Sequence, residues 1–149
     1  MPIAEGWKDD AVNNQFAVLP APSGYALIEI DENYCEGDID QWLSDPKTVI
    51  GFVVRNNGNY FGVLPMTAHA VYDDGGCGQY ALVRPDGKIE FEQIGEHVFD
   101  SIDDLKIHLL REAAQLDREM ASDSDLERKE AAYLRRHARK LENEANNIC

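Results

Sequence analysis

The feature of this 149-residue sequence that most limits its fold is Asn57-Gly58, which lies between two apolar runs in residues 48–65. Asn and Gly tolerate the positive φ angles that a two-residue type I′ turn requires. The sequence therefore predicts a central β-hairpin closed by this dipeptide. The predicted pairs are Arg55 with Tyr60, Val53 with Gly62, and Gly51 with Leu64.

Neither face of this predicted hairpin is polar, so both faces need to be covered. Because side chains alternate along a strand, a bulky face is separated from a face that contains Gly51 and Gly62. We expect the bulky face to belong to the main core and a helix to pack on the glycine face. The bulky face consists of Ile50, Phe52, Val54, Phe61 and Val63.

A second hairpin is predicted over residues 80–94, around Pro85-Asp86-Gly87. Proline early and glycine late fit a type I turn followed by a left-handed residue, with Arg84 opposite Lys88. Polar and apolar residues alternate here, which predicts one solvent-exposed face. That face would consist of Tyr80, Leu82, Glu90 and Glu92.

The C-terminal third of the chain predicts two helices. Ser101 is a typical N-cap, and the first turn after it contains acidic residues, which the helix dipole favours. Ser124 with Glu127 has the spacing of a second capping box, which predicts a last helix over about residues 125–146. The apolar stripe of the first helix is predicted to be Leu105, Leu109, Ala113, Leu116 and Met120.

These patterns predict an α+β fold, with an antiparallel sheet of five or six strands built from hairpins and covered on one side by the C-terminal helices. We expect residues 1–121 to form an α+β domain with an acidic surface. Residues 122–149 are expected to form an amphipathic helix that packs on that domain or on a second copy of the chain.

The formal net charge is −14, and the acidic excess lies in the β-rich part. Residues 1–100 contain 17 Asp and Glu against 5 Lys and Arg, whereas residues 101–149 contain 11 against 9. Such a surface repels nucleic-acid phosphates and acidic membranes and attracts basic proteins. We therefore expect a basic protein partner and no direct contact with nucleic acid or with a membrane.

The cysteines and the chain start predict a cytoplasmic protein. Cys35, Cys77 and Cys149 are odd in number and widely spaced, which suits a reducing compartment better than a disulfide framework. No apolar run is long enough to cross a bilayer, and the first residues lack the basic start and apolar core of a signal peptide.

Motifs for known chemistry are missing from the sequence. It has no phosphate-binding loop, no dinucleotide-binding glycine motif, no HExxH and no GxSxG. The cysteines and histidines lack the close ligand pairs of a zinc site, so we expect no metal and no cofactor. We expect no enzymatic activity.

The enzymatic alternative is a cysteine-dependent enzyme that uses Cys77. Its flanking glycines would leave the thiol accessible, and His69 or His97 would act as the base. Asp73 and Asp74 oppose this alternative, because nearby carboxylates raise the pKa of a thiol.

The favoured hypothesis is a non-enzymatic protein that inhibits or regulates a basic, nucleic-acid-handling partner. Its acidic surface would occupy the partner's phosphate-binding groove, by analogy of charge and size with phage or plasmid inhibitors such as anti-restriction and anti-CRISPR proteins. A duplex as long as this globule is wide, about 40 Å, carries about 22 charges. The carboxylates expected to bind the partner are Asp31, Glu32, Glu36, Asp38, Asp40, Asp73 and Asp74.

The other alternative is a homodimeric regulator or adaptor that acts through the last helix. At about 100° per residue, the apolar and the basic residues of this helix fall on opposite sides. The apolar side would pair with a second copy, and the basic side would contact a partner. The residues expected to act in this way are Leu126, Tyr133, Leu134, Arg135, Arg136, Arg139 and Leu141.

Overall fold

A computed structural model describes residues 15–31, 39–56, 61–72, 79–92, 94–95 and 97–148. The strands are β1 (Gln15–Pro20), β2 (Ala26–Ile30), β3 (Lys47–Asn56), β4 (Phe61–Thr67), β5 (Gln79–Val83), β6 (Ile89–Phe91) and β7 (His97–Phe99). The helices are α1 (Ile39–Trp42), α2 (Ile102–Ala121) and α3 (Arg128–Ile148). The predicted α+β fold with C-terminal helices is confirmed.

The strands pair antiparallel in the order β1-β3-β2-β5-β6-β7, and β4 pairs with β3. The start of β3 pairs with β2, and its remainder lies between β1 and β4. The long strand β3 therefore joins two parts of the sheet, β1-β3-β4 and β2-β5-β6-β7. The sequence did not predict β7, which follows a reversal of the chain at Glu92 and Gly95, both with positive φ.

The central hairpin is present, but its register differs from the predicted one. Val53 pairs with Leu64, and the last pair is Asn56 with Phe61. Four residues rather than two therefore separate the paired positions, and the predicted turn at Asn57-Gly58 lies outside the described residues. The shift of two residues sets two bulky buried residues, Val53 and Leu64, opposite each other, and a further irregularity in the register lies between Val49 and Gly51.

The predicted burial of the two hairpin faces is wrong. Val49, Val53 and Leu64 on the glycine face are buried, whereas Ile50 on the bulky face is 49% exposed. The reason is that Val49 packs with apolar residues of β2 and β5 and with Tyr72, so strands rather than a helix cover this end of the glycine face.

The β5–β6 hairpin has the predicted register and turn, but its predicted solvent-exposed face is wrong. Val83 pairs with Ile89, and Gly87 has a φ of 86° with its amide donating to Arg84 O at 3.0 Å. Tyr80, Leu82 and Glu90 are all buried. This face is covered because Val49 of β3 and Tyr72, which follows β4, pack against Tyr80 and Leu82.

Both faces of the β2-β5-β6 region are therefore packed. One face forms a strand-side core, and the other forms a helix-side core with α1, α2 and α3. The strand-side core consists of Leu27, Val49, Tyr72, Tyr80 and Leu82. The helix-side core includes Ala81, Ile89 and Phe91 from the sheet, Trp42 from α1, and Leu105, Leu110 and Leu141 from α2 and α3.

Helix α2 begins as predicted, and α3 begins later than predicted. Ser101 is the N-cap of α2, and its Oγ accepts a hydrogen bond from the Asp104 amide at 3.2 Å. Helix α3 starts at Arg128, so Ser124 lies in the connecting turn. The amide of Ala131 donates instead to Glu127 O at 3.0 Å.

The predicted apolar stripe of α2 is buried only in its first half. Leu105 and Leu109 belong to the helix-side core, whereas Leu116 and Met120 are each 55% exposed. In the second half of α2 the structure buries Asp117 and Ala121 instead. The stripe follows the helical period, but the sheet does not cover its far end.

Replacing Gly51 with Ala is expected to lower the free energy of unfolding by about 1–3 kcal/mol. A Cβ at this position would lie 2.9 Å from Leu19 O of β1 and 3.0 Å from Met66 Cε, so β1 would have to move. Urea unfolding of the variant measures the loss. Thr48→Ala, at an exposed position of the same strand, is the control and is expected to cost less than about 1 kcal/mol. Equal losses in the two variants would contradict the close approach.

Candidate interaction surfaces

Of the seven carboxylates predicted to bind a partner, the structure describes Asp31 and Asp40, which are both exposed. They lie on neighbouring elements, because Asp31 follows β2, Asp40 lies in α1, and the Asp31 amide donates to Trp42 O at 2.8 Å. The structure therefore brings these two carboxylates to one edge of the fold. The other five, Glu32, Glu36, Asp38, Asp73 and Asp74, lie outside the described residues.

Helix α1 is attached to both C-terminal helices, and this attachment positions Asp40. The Lys106 ammonium of α2 donates to Asp40 Oδ1 at 2.8 Å, and the Ile39 amide donates to Glu144 Oε1 of α3 at 3.1 Å. The Asp40 side chain stays 76% exposed despite its ion pair. It is therefore held in position and still accessible to a partner.

Glu29 in β2 accepts two hydrogen bonds on one carboxylate oxygen. Lys47 donates to Oε1 at 2.8 Å, and the buried Tyr72 hydroxyl donates to it at 2.6 Å. The Lys47 bond and then the Tyr72 bond lower the pKa of Glu29 below its ordinary value. The Glu29 bond in turn raises the pKa of Lys47. This network joins β2, β3 and the segment after β4.

A second internal ion pair explains why Glu90 can be buried. Its carboxylate, in a residue only 7% exposed, accepts from the Arg84 guanidinium at 2.5 Å. The Glu90 bond raises the pKa of Arg84 above its ordinary value. A buried charge is tolerated when a partner of opposite charge is bonded to it. Alternation along β6 predicts a surface position for Glu90, because the pattern does not reveal its bond to Arg84.

Each of these two pairs joins one cation to one carboxylate, so the pairs leave the net charge unchanged. Among the described side chains of residues 15–100, Lys47 and Arg84 are bonded to Glu29 and Glu90, and Lys88 is the exposed cation that remains. Exposed carboxylates are more numerous over the same described residues. They are Asp31, Asp40, Asp45, Asp86, Glu92 and Asp100.

The predicted apolar residues of the last helix are distributed between the core and the surface. Leu141 is buried in the helix-side core against α2. Leu126 and Leu134 are half-buried, and Tyr133 is 47% exposed. The predicted basic residues Arg135, Arg136 and Arg139 are exposed.

The α2–α3 contact contains a close carboxylate–imidazole pair that the sequence pattern does not indicate. Asp117 Oδ2 lies 2.5 Å from His137 Nδ1, and each side chain is 11% exposed. The His137 ring also stacks on Tyr133, with ring centroids 6.1 Å apart. Asp117 was missed because it lies among exposed polar residues in the sequence, and its partner is 20 residues away. A buried carboxylate and imidazole at one helix contact fix the register of the two helices.

The remaining candidate chemistry is not assembled in the described residues. Cys77 lies outside them, His69 lies in the turn after β4, and His97 lies in β7. The His97 ring stacks on His108 of α2 with centroids 6.5 Å apart. In the part of the chain that the structure describes, no group of three or more His, Cys, Asp or Glu residues is arranged to hold a metal ion.

Comparison with known proteins gives no relative: no family model, no curated protein and no solved structure matches this chain. Among the helices described, none combines the length and the apolar character needed to span a bilayer.

Replacing Tyr72 with Phe is expected to lower the free energy of unfolding at pH 7 by about 1 kcal/mol, because it removes a hydrogen bond to an ionised carboxylate. Glu29 has a lowered pKa in the folded state, so its contribution is full above the ordinary value of 4.5 and is lost as the pH falls through the lowered pKa. The difference between the variant and the wild type should therefore shrink below about pH 4.5. Urea unfolding across pH measures it.

Tyr25→Phe is the matched control for this prediction. It deletes the same atom from a half-buried tyrosine whose described contact is the edge-to-face packing on Phe52. Its effect should be small and independent of pH. A Tyr72→Phe loss that is the same at pH 3 and pH 7 would show that the hydroxyl does not act through ionised Glu29.

Replacing Asp117 with Leu is expected to cost about 2–4 kcal/mol, because it leaves His137 without its carboxylate inside the α2–α3 contact. The double variant Asp117→Leu/His137→Leu should recover most of this loss, since no unpaired polar group remains. Glu142→Leu, which breaks the exposed Arg118–Glu142 pair of the same two helices, is the control and should cost far less. Thermal unfolding gives all three values, and a double variant less stable than Asp117→Leu would contradict the pairing.

Proposed function

We propose that this chain is a non-enzymatic acidic protein that binds a basic, nucleic-acid-handling protein and blocks or regulates its nucleic-acid-binding surface. The observation that supports this proposal most directly is the excess of exposed carboxylates over exposed cations among the described residues of the β-rich part. Lys47 and Arg84 are bonded to Glu29 and Glu90, so they do not neutralise the exposed carboxylates. Each of these pairs joins one cation to one carboxylate, so the acidic excess of this part, 17 carboxylates against 5 cations, is unchanged by them.

The positions of the exposed carboxylates also support binding. They lie at strand ends and turns of a sheet with both faces packed, as Asp31 after β2 and Asp86 in the β5–β6 turn illustrate. Groups held on a rigid scaffold lose little conformational freedom when a partner binds. Attraction between opposite charges also raises the association rate and makes it sensitive to salt.

A phosphate-binding groove is a basic surface that such an array would fit. The first 100 residues contain 17 carboxylates, of which Glu29 and Glu90 are bonded to internal cations, and a duplex as long as the molecule is wide carries about 22 charges. An inhibitor of host defence from a phage or plasmid, of the anti-restriction or anti-CRISPR type, would act in this way. The analogy is one of charge and size, and the compartment we expect for this activity is the cytoplasm.

A homodimeric regulator is the second candidate function. The observation that favours it is the exposed Tyr133 ring, with the half-buried Leu126 and Leu134 beside it on α3 and the turn before it. Leu141 does not belong to such a surface, because it packs against α2 of the same chain. The cysteine-dependent alternative depends on Cys77, which lies outside the described residues.

The test is capture of partners from a lysate of the native host by the immobilised full-length chain, with and without excess duplex DNA and at low and high salt. One variant neutralises four predicted carboxylates: Asp31→Asn, Glu32→Gln, Asp73→Asn and Asp74→Asn. A control variant neutralises four exposed carboxylates of the helical part: Glu119→Gln, Asp123→Asn, Asp125→Asn and Glu127→Gln. Both variants have a formal net charge of −10.

The expected result is that the wild type and the control variant retain a nucleic-acid-handling protein at low salt, whereas the first variant does not. High salt or excess DNA should release this protein from the wild type. Equal loss with both variants would mean that net charge alone is responsible. Retention that resists both salt and DNA would contradict occupation of a phosphate-binding groove.

A further inference from the structure

The α2–α3 hairpin is covered by the sheet along only half of its length. In the first half of α2, the ring centroid of His108 lies 5.8 Å from that of Phe91 in β6 and 5.2 Å from that of Phe99 in β7. At about 100° per residue, Leu105, Leu109, Leu116 and Met120 share the side of α2 that faces the sheet. Because Leu116 and Met120 are each 55% exposed, the far half of this side is an apolar surface open to solvent.

Helix α3 completes a groove at Met120, one helical turn beyond Leu116. The groove has a volume of about 390 Å³ and is lined by Met120, Leu126, Lys129, Glu130, Tyr133 and Leu134. We call it the distal groove. The Tyr133 ring is held in place by its stacking on His137, which is bonded to Asp117 of α2. The groove is therefore built before any partner binds, which lowers the entropic cost of binding.

The two rims of the distal groove have opposite charge. On α3, Lys129, Arg136 and Lys140 recur at helical spacing beside Tyr133, and all three are exposed. On α2, Glu112 and Glu119 recur seven residues apart on the outer side of Leu116, and both are exposed. A basic rim thus runs along α3, outside the groove-lining Glu130, and an acidic rim runs along α2 beside Leu116, next to the groove rather than in its lining.

This charge pattern disfavours a second copy of the chain in the groove. When the helices of two copies pack parallel or antiparallel, the two-fold axis lies in the interface and runs along the helices or across them. With an axis along the helices, the basic rim of each copy would face the acidic rim of the other. The second hairpin would then collide with the sheet that covers the first half of α2. An axis across the helices avoids the sheet but places basic rim against basic rim and acidic against acidic, which is repulsive.

We propose that the distal groove binds an amphipathic helix of a partner protein, whose apolar face contacts Leu116, Met120 and Tyr133. The partner helix would place acidic residues along Lys129 and Arg136 and basic residues along Glu112 and Glu119. An apolar groove between two helices is a common binding site for such a helix, which is anchored by residues at spacings of three, four and seven. This site is independent of the acidic loops, so it goes beyond the proposed function.

The size of the partner segment follows from the open length of the groove. Residues 113–121 of α2 extend about 12 Å, which matches two to three turns of a bound helix. Two or three large apolar anchors would fill it. The charges on its two flanks would set the direction in which it lies, because reversing the helix exchanges the flanks.

Three synthetic helical peptides of about 18 residues test this proposal. They share one leucine stripe and differ in their flanks: Glu on one side and Lys on the other, Glu on both sides, or Lys on both sides. Fluorescence anisotropy measures their affinity for the full-length chain and for Met120→Glu. Asn146→Glu, at an exposed position on the opposite side of α3, is the control with the same change of charge.

The expected result is that the mixed-flank peptide binds more tightly than the all-Glu peptide, and that Met120→Glu weakens its binding at least tenfold while Asn146→Glu leaves it unchanged. Binding of the mixed-flank peptide that is unaffected by Met120→Glu would overturn the proposal. So would a wild-type chain that is dimeric at micromolar concentration by sedimentation and becomes monomeric in Met120→Glu, because a second copy would then occupy the groove. Circular dichroism confirms that each variant is folded.

Discussion

Strand β5 is buried on both faces, and most of the fold depends on this constraint. An antiparallel sheet usually leaves one face in water. Here Tyr80 and Leu82 pack under β3 and the segment after β4, while Ala81 packs under the C-terminal helices. The long strand β3 makes this possible, since its start pairs with β2 and its remainder carries β1 and β4 away from the central strands.

Burial of both faces also determines which charges reach the surface. Glu90 of β6 lies in a packed region, where it needs a bonded cation, whereas Glu29 of β2 remains 39% exposed. Arg84 and Lys47 are the cations bonded to these two carboxylates, so two positive and two negative charges are paired with each other. The net charge therefore follows from composition, and the fold determines which carboxylates are exposed.

Local signals in the sequence predicted local structure well. The N-cap at Ser101, the turn at Gly87 and the pairing of Val83 with Ile89 each depend on a few neighbouring residues, and each is confirmed. The wrong predictions concern which face is covered. Alternation separates Ile50 from Val49 but does not show which one meets the core, because that depends on residues far away in the chain. The same limit hid the Asp117–His137 pair and the end of the sheet beneath α2.

Of the candidate surfaces, the sequence could predict the charge asymmetry but not the groove. Net charge is a sum over residues and needs no structure. The distal groove exists because α2 extends past the sheet, which no periodicity in Leu105 to Met120 reveals. The described chain thus has exposed carboxylates in its β-rich part and an exposed apolar groove on its C-terminal helices.

Native-state amide hydrogen exchange, followed residue by residue by NMR, tests the central claim most directly. If the strand buried on both faces organises the fold, the amides of β5, its neighbour β2 and the first half of α2 should exchange slowest, near the rate set by global unfolding. Faster exchange is expected in β1 and in the second half of α2. Slowest exchange in β1 and β4, or uniform protection along α2, would contradict the account.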